Sequence, residues 1–194
     1  PEVQKLYDIS DAYHTEGKYE QALEHLDLAL TKAKELSVQS DIAVILGTIG
    51  TVYQINLGQL DKALIRYEQA LIIFRKIGDE SKIALVLSSI GGCNLDLNRM
   101  EIALSKYKEA LEIHNKLGNE KHATLSLIGM GTAYLRLGQR DKAKEMFGEA
   151  LAISKKNSDE INMAVSRASM ADIFAMEGEF DQALKHYEES LAVM

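Results

Sequence analysis

Residues 138–151 read GQRDKAKEMFGEAL, and this phrase decides the fold because it returns four more times along the chain. A turn residue, usually glycine, stands five positions before an alanine. An aromatic residue or leucine follows the alanine by four positions, and a small residue followed by leucine closes the phrase. The alanines lie 41, 40, 40 and 40 residues apart, at Ala22, Ala63, Ala103, Ala143 and Ala183. A constant period of this length is typical of stacked repeats rather than of one globular core.

Each repeat is predicted to contain two helices. In the fourth repeat, apolar and small residues recur every three or four positions between residues 119 and 137, as in an amphipathic helix. Gly138 ends that helix, and a second one is predicted over residues 140–157. Because the turn between them is so short, the two helices must form an antiparallel hairpin. We therefore predict a single domain over residues 1–194, with repeats at 1–38, 39–79, 80–119, 120–159 and 160–194.

Small residues are predicted to let the two helices of each hairpin approach closely. The alanine of each phrase is expected to face a small residue of the first helix. These residues are Ser10, Gly50, Gly91, Gly131 and Ala171. An acid stands two positions before each alanine, where it meets the positive end of the second helix dipole. Between repeats, Gly78-Asp79 and Gly118-Asn119 predict a glycine turn followed by a helix N-cap, and serine replaces this glycine at Ser37 and Ser158, where we expect looser turns.

The second repeat carries one residue too many. Tyr53 lies five positions before Gly58, whereas Tyr134 lies four positions before Gly138. An insertion inside a helix usually becomes a π-bulge, and such bulges are frequent at functional places. The alternative, that the extra residue is only accommodated locally, stays open.

The repeated pattern resembles the tetratricopeptide repeat over the whole chain. The fourth repeat carries its apolar position, small pair, aromatic, turn glycine, alanine, aromatic and final Ala-Leu, at Leu127, Met130-Gly131, Tyr134, Gly138, Ala143, Phe147 and Ala150-Leu151. The usual period is 34 residues with a closing proline, so this longer form is similar to the repeats of kinesin light chains, spindle-orientation adaptors and bacterial signalling regulators. The resemblance implies an all-α fold, a right-handed α-solenoid of five antiparallel helix-turn-helix repeats.

Composition and spacing argue against chemistry and against several partner classes. The formal net charge is −7 with no basic run, so nucleic acid and acidic membrane surfaces are unlikely partners. No stretch is long and apolar enough to span a membrane, and one cysteine, Cys93, fits a reducing cytoplasm. The five histidines do not have metal-ligand spacing, and the Gly91-Gly92 and Gly129-Met130-Gly131 stretches do not have a phosphate-loop context. We therefore expect no metal, no cofactor and no enzyme activity.

The resemblance implies that the first helices of successive repeats line a concave groove. At the groove positions stand Tyr7, Asp11, Val44, Thr48, Thr51, Leu85, Ser88, Ser89, Leu125, Ile128, Thr132, Val165 and Asp172. Chaperone adaptors of this family grip a C-terminal carboxylate with lysine, asparagine and arginine in the groove, and those positions are uncharged or acidic here. The lining instead suits an apolar or amphipathic helix or an extended peptide. The alternative is that these small residues only pack helices together.

Two functions remain open from the sequence. One is a scaffold that binds a peptide or helix of a protein partner in the groove. The other is a sensory or regulatory domain of a larger bacterial or archaeal signalling protein that binds a signalling peptide or an attached output domain. The chain starts at Pro1 without methionine and stops inside a predicted helix, so we expect either a processed chain or a domain of a longer protein. That last helix carries Leu184, Tyr187, Leu191, Val193 and Met194, and we expect it to pack on another copy or on further sequence.

Overall fold

The computed structural model describes residues 2–192, and within them the chain forms helices and no strand. Every predicted helix pair is present. The α-helices are α1 (Glu2–Thr15), α2 (Tyr19–Glu35), α3 (Gln39–Thr51), α4 (Leu60–Ile77), α5 (Glu80–Asp96), α6 (Met100–Lys116), α7 (Glu120–Arg136), α8 (Arg140–Lys156), α9 (Glu160–Met176) and α10 (Phe180–Leu191). Val193 and Met194, which the sequence placed in the last helix, lie outside the described residues.

The chain divides into two compact units, one up to Leu97 and one from Asn98 onward. In unit 1, α1 to α5 pack on one another in chain order. In unit 2, α6 to α10 do the same. Within each unit, a helix therefore packs mainly on its neighbours in sequence, as expected of stacked repeats. The assignment of residues 1–194 to one domain stays a prediction.

In the first and fourth repeats, the helices of the hairpin meet at the small residues that the sequence singled out. In the first repeat, Ser10 Oγ donates a hydrogen bond to the Ala22 carbonyl oxygen over 2.9 Å. In the fourth repeat, a Cβ on Gly131 would lie only 2.8 Å from Phe147 Cε1. Real Cβ atoms do not come this close to a neighbouring atom, so the helix spacing there requires glycine. The small position thus contacts the alanine in the first repeat and, in the fourth, the ring four residues beyond the alanine.

The turns between repeats use left-handed backbone whether or not glycine is present. Gly78 and Gly118 have φ of 75° and 69°, and Ser37 and Ser158 adopt 57° and 53°. Asp79 and Asp159, which follow two of these turns, cap the next helix by accepting hydrogen bonds from backbone N–H groups. The serine turns therefore keep the conformation of the glycine turns, at the cost of placing an L-residue in a region that disfavours it.

The extra residue of the second repeat forms a π-helix over Val52–Asn56, which continues α3. The wider turn is visible in the backbone, where the Leu57 N–H donates to the Val52 carbonyl oxygen, five residues earlier, over 3.2 Å. The π-bulge that the sequence predicted is therefore confirmed.

Candidate functional site

Unit 1 contains a concave pocket of about 380 Å³ along α1, α3 and α5, with its floor on α4. Its lining is mostly small or apolar. The lining residues are Tyr7, Ala43, Val44, Gly47, Thr48, Thr51, Tyr67, Phe74, Lys82, Leu85, Val86 and Ser89. A volume of this size is at the lower end of the range of small ligand pockets and suits a few side chains of a peptide.

The hydroxyl groups of the pocket bind one another and the local backbone. The Tyr7 and Thr48 hydroxyl oxygens are 2.7 Å apart, and those of Thr51 and Tyr67 are 3.1 Å apart. Ser89 Oγ donates to the Leu85 carbonyl oxygen over 3.2 Å. Because these polar groups have partners within the protein, an apolar ligand could cover them without leaving a hydrogen bond unmade.

The π-helix supplies one of these partners. Tyr67 Oη donates to Gln54 Oε1 over 3.0 Å, and burial raises the pKa of this phenol, so it remains a donor. Two residues later in the same π-helix, Asn56 Oδ1 lies 3.0 Å from His14 Nε2 on α1. The π-helix therefore ties the end of α3 to both α1 and α4. Sequence reasoning did not foresee these roles for Gln54 and Asn56, although the one-residue insertion pointed to their location.

Most of the predicted groove residues of unit 1 lie in this pocket. They are Tyr7, Val44, Thr48, Thr51, Leu85 and Ser89. Asp11 lies instead in an adjacent cavity of about 150 Å³ that also includes His14 and the Thr48 and Thr51 side chains. Ser88 lines neither cavity, and its hydroxyl donates to the Ala84 carbonyl oxygen over 3.1 Å. Lys82, which the sequence reading did not single out, places a cation in the pocket lining.

The predicted groove residues of unit 2 lie on α7 and α9, and they differ from one another in exposure and in contacts. Leu125 and Val165 are exposed apolar side chains, whereas Ile128 packs partly against the core formed by Ala143, Phe147 and Ile173. Thr132 Oγ1 donates to the Ile128 carbonyl oxygen over 3.0 Å. The exposed carboxylate of Asp172 accepts a short hydrogen bond from the Tyr187 hydroxyl of α10. The larger cavities found in unit 2 lie at the turns around Gly118 and Gly138.

Cys93 is unsuited to nucleophilic chemistry. It is fully buried in α5, and burial, with the nearby Asp96 carboxylate, raises the pKa of its thiol to about 12. The thiolate is the reactive form, so this cysteine acts as a small packing residue. Over residues 2–192, no cluster of three or more histidine, cysteine or acidic side chains could hold a metal ion. In the same residues, no helix combines the length and the apolar character needed to cross a membrane.

His114 is a buried titratable group that the sequence did not predict. It is 1% exposed on α6, and neither ring nitrogen has a hydrogen-bond partner. Its ring stacks on that of His122 from α7, with centroids 5.3 Å apart. Burial and the neighbouring His122 lower the pKa of His114 below the ordinary histidine value of 6.5. The folded state therefore favours the neutral imidazole.

We expect unit 2 to lose stability as the pH falls below 6.5. In that range unfolded His114 binds a proton and folded His114 does not. Protonation therefore stabilises the unfolded state relative to the folded one until the pH reaches the lowered pKa of folded His114. His114→Phe should flatten this dependence, because the equivalent position one repeat earlier is the buried Phe74. Thermal melts of both proteins across this pH range test the prediction. Equal pH slopes would contradict it.

Comparison with protein families identified one match. The model of the family described as "Tetratricopeptide repeat" matches residues 2–76, 41–116, 82–156 and 123–194, which together span the described chain. A search of curated proteins found no match. The predicted fold class, an all-α solenoid of helix-turn-helix repeats, is confirmed.

Several solved structures share this fold. BtubC (BKLC) from P. vanneervenii superposes with a TM-score of 0.88 at 24% identity, over 98% of this chain and 79% of that chain. Aspartyl phosphate phosphatase F from Bacillus subtilis gives 0.90 at 16% identity, over 99% and 50%. A Rap protein complexed with Competence and Sporulation Factor gives 0.82 at 21% identity, over 99% and 53%. The present chain thus spans about half the length of the last two proteins.

Proposed function

Since the chain belongs to the tetratricopeptide repeat family, we propose that it is a non-catalytic scaffold that binds a peptide or helix of a protein partner. The groove residues of α1, α3 and α5 in unit 1 form the principal binding surface. Within unit 2, the groove positions of α7 and α9 form a separate set of candidate contact residues. The partner is neither a nucleic acid nor a membrane surface, because the net charge of −7 opposes both.

The pocket of unit 1 is the observation that carries this proposal. It is concave and open along three first helices, and its hydroxyl groups are already hydrogen-bonded. Val44 and Leu85 give it apolar walls, and Gly47 of α3 leaves space in it, since a Cβ on Gly47 would meet no atom within 4 Å. Burying apolar side chains of a ligand here would stabilise the complex by roughly 25 cal/mol per Å² of apolar surface removed from water.

The ligand is an uncharged or amphipathic segment rather than a terminal carboxylate. A clamp for a terminal carboxylate relies on several charged donors acting together, such as a bidentate arginine with a lysine, whereas the residues lining this pocket supply one lysine, Lys82, at one end of α5. Lys82 is suited to a carbonyl oxygen or an acidic side chain at one end of the bound segment. The remaining contacts are apolar and select by shape.

A second candidate function is a regulatory domain of a larger signalling protein. The fold likeness to a Rap protein complexed with Competence and Sporulation Factor favours it, as does the fact that this chain spans about half of that protein. In this case the same groove binds a signalling peptide, or an attached output domain occupies it. The two functions therefore share the pocket and differ in what binding changes.

Filling the pocket should weaken binding without loss of stability. Gly47→Leu places a side chain of α3 in the open space of the pocket and replaces a poor helix former by a good one. Peptides selected from a random library on the wild-type protein serve as the probe, with affinity measured by fluorescence anisotropy. We expect Gly47→Leu and Leu85→Glu each to weaken binding by at least about tenfold.

The matched control is Gly148→Leu. Gly148 lies in α8, and a Cβ there also meets no atom within 4 Å, but it lines none of the pocket. This variant should bind the selected peptides as the wild-type protein does. Selected peptides that bind Gly47→Leu with wild-type affinity would refute the proposed site.

A further inference from the structure

A second cavity of unit 1 adjoins the pocket of the proposed binding site. It has a volume of about 600 Å³ and lies between α1 and α3, beside the turn that joins α2 to α3. Tyr7 and Val44 line both cavities. The Tyr7 hydroxyl is hydrogen-bonded to Thr48 of α3, which fixes the tyrosine ring at their boundary. We call the cavity between α1 and α3 the first subsite and the pocket along α3 and α5 the second subsite.

The two subsites occupy the same structural position in successive repeats. Shifting residues that line the first subsite by one repeat length gives residues that line the second. Three such pairs carry apolar side chains in both subsites, and they are Val3 and Ala43, Val44 and Leu85, and Ile45 and Val86. A segment that crosses the first helices of unit 1 therefore meets two equivalent apolar subsites in succession.

The charge at one shared position is opposite in the two subsites. Asp41 lines the first subsite and Lys82 lines the second, and each is the third residue of its helix. Within residues 2–192, neither side chain forms an ion pair with another residue. Both charges are therefore available to a ligand. Charge complementarity then requires a cation in the first subsite and an anion in the second.

Local helix stability accounts for the acid but not for the base. An acid in the first helical turn is stabilised by the helix dipole, so Asp41 stabilises the start of α3 whether or not a ligand binds. A cation in the same turn is disfavoured by the dipole, so the charge of Lys82 does not stabilise α5. The lysine is also exposed, so it fills no space in the core. A charged group of the ligand gives this lysine a role.

The walls of the first subsite favour a long basic side chain. Leu36 and Val38, at the turn between α2 and α3, are 56% and 37% exposed. The methylene groups of a lysine or arginine can cover these residues while the charged end reaches Asp41. Arginine fits best, because its planar guanidinium group can donate two parallel hydrogen bonds to one carboxylate.

We infer that the bound peptide carries an arginine or lysine in the first subsite and an acidic residue in the second, with apolar residues between them. This inference rests on the proposed function, because it specifies the peptide that the same groove binds. Packed neighbouring helices lie roughly 10 Å apart, and an extended chain advances about 3.3 Å per residue. In an extended peptide the two charged residues therefore stand about three positions apart. The opposite charges also fix the direction in which the peptide crosses the helices.

Peptides selected from a random library on the wild-type protein test this inference. They should be enriched in one basic and one acidic residue at about this separation, and their affinity should fall as salt screens the charges. Asp41→Lys and Lys82→Glu should each weaken binding of a selected peptide by at least about fivefold, measured by fluorescence anisotropy. Replacing the basic residue of the peptide by glutamate should restore binding to Asp41→Lys. Replacing its acidic residue by lysine should restore binding to Lys82→Glu.

The matched controls are Glu101→Lys and Lys108→Glu on α6. They make the same changes of net charge at exposed residues of unit 2 that line neither subsite. Glu101 also stands in the first turn of its helix, so it controls for the loss of a first-turn acid. Both control variants should bind the selected peptides as the wild-type protein does. All four charge variants should keep the wild-type helical content by circular dichroism.

The outcomes separate this inference from the proposed function. Selected peptides that Leu85→Glu weakens, but that Asp41→Lys and Lys82→Glu bind with wild-type affinity, would overturn the inference and leave the proposed function standing. A loss of binding that the charge-reversed peptides do not restore would overturn it as well. Peptides that are indifferent to Leu85→Glu and to both charge reversals would refute the inference together with the proposed site.

Discussion

Replacing Gly129 with alanine is expected to lower the free energy of unfolding by about 1–3 kcal/mol, although alanine is the better helix former. Gly129 lies on α7 directly beneath the ring of Tyr107 from α6. An added Cβ would lie 2.4 Å from Tyr107 Cζ and 2.7 Å from both Cε atoms. Tyr107 is itself buried, so its ring cannot move aside without disturbing the packing between these two helices. The strain should therefore exceed the gain in helix propensity.

Gly148→Ala is the matched control for this experiment. Gly148 lies inside α8, in the same unit, and a Cβ there meets no atom within 4 Å. Without a clash, only the propensity gain remains, and we expect about 0.5–1 kcal/mol of added stability. Urea unfolding followed by circular dichroism measures both variants. If the two substitutions change stability in the same direction, the close contact between Gly129 and Tyr107 is not what determines the packing.

Replacing Phe147 with alanine is expected to have the largest effect, a loss of about 3–5 kcal/mol. Phe147 is 1% exposed and forms the buried core of unit 2 with Ala143 and Ile173. Removing its ring leaves a cavity that the rigid helices around it can close only in part. The equilibrium unfolding of the variant, with Gly148→Ala as the reference for an unperturbed α8, measures this loss.

Substituting Gly131 tests the contact between this glycine and the Phe147 ring directly. In the wild-type protein a Cβ at Gly131 would lie 2.8 Å from Phe147 Cε1, so Gly131→Ala alone should be destabilising. Without the ring, the same substitution should become neutral or stabilising. The double-mutant cycle should therefore show a coupling energy of at least about 1 kcal/mol. Additive effects would mean that the ring and the glycine do not control one another.

Much of the local structure follows from the sequence because the interactions that determine it lie within single repeats. The turn residues and the acids at the start of each second helix act within one helical turn, so their effect does not depend on distant contacts. The π-helix at Val52–Asn56 was predictable for the same reason, since one extra residue between Tyr53 and Gly58 must be absorbed within that helix.

The candidate site was only partly predictable. The repeat register placed Val44, Thr48 and Leu85 on the groove side, and all three line the pocket of unit 1. The register did not reveal that the hydroxyls of Tyr7 and Thr48 would bind each other, a contact between residues 41 positions apart. It also omitted Lys82, because a lysine at a helix start looks like an ordinary surface residue until the neighbouring helix is in place.

Gly129 and Gly131 separate what the sequence determines from what the tertiary structure determines. The sequence by itself determined that Gly129 and Gly131 lie on one helix and that small residues recur there, because period and composition are properties of the chain. Only the tertiary structure decided that Gly129 lies beneath Tyr107 of the preceding helix and Gly131 beneath Phe147 of the following one. The physical reason is that steric exclusion acts between atoms in space, and two glycines that look equivalent in sequence contact different helices once α6, α7 and α8 are packed.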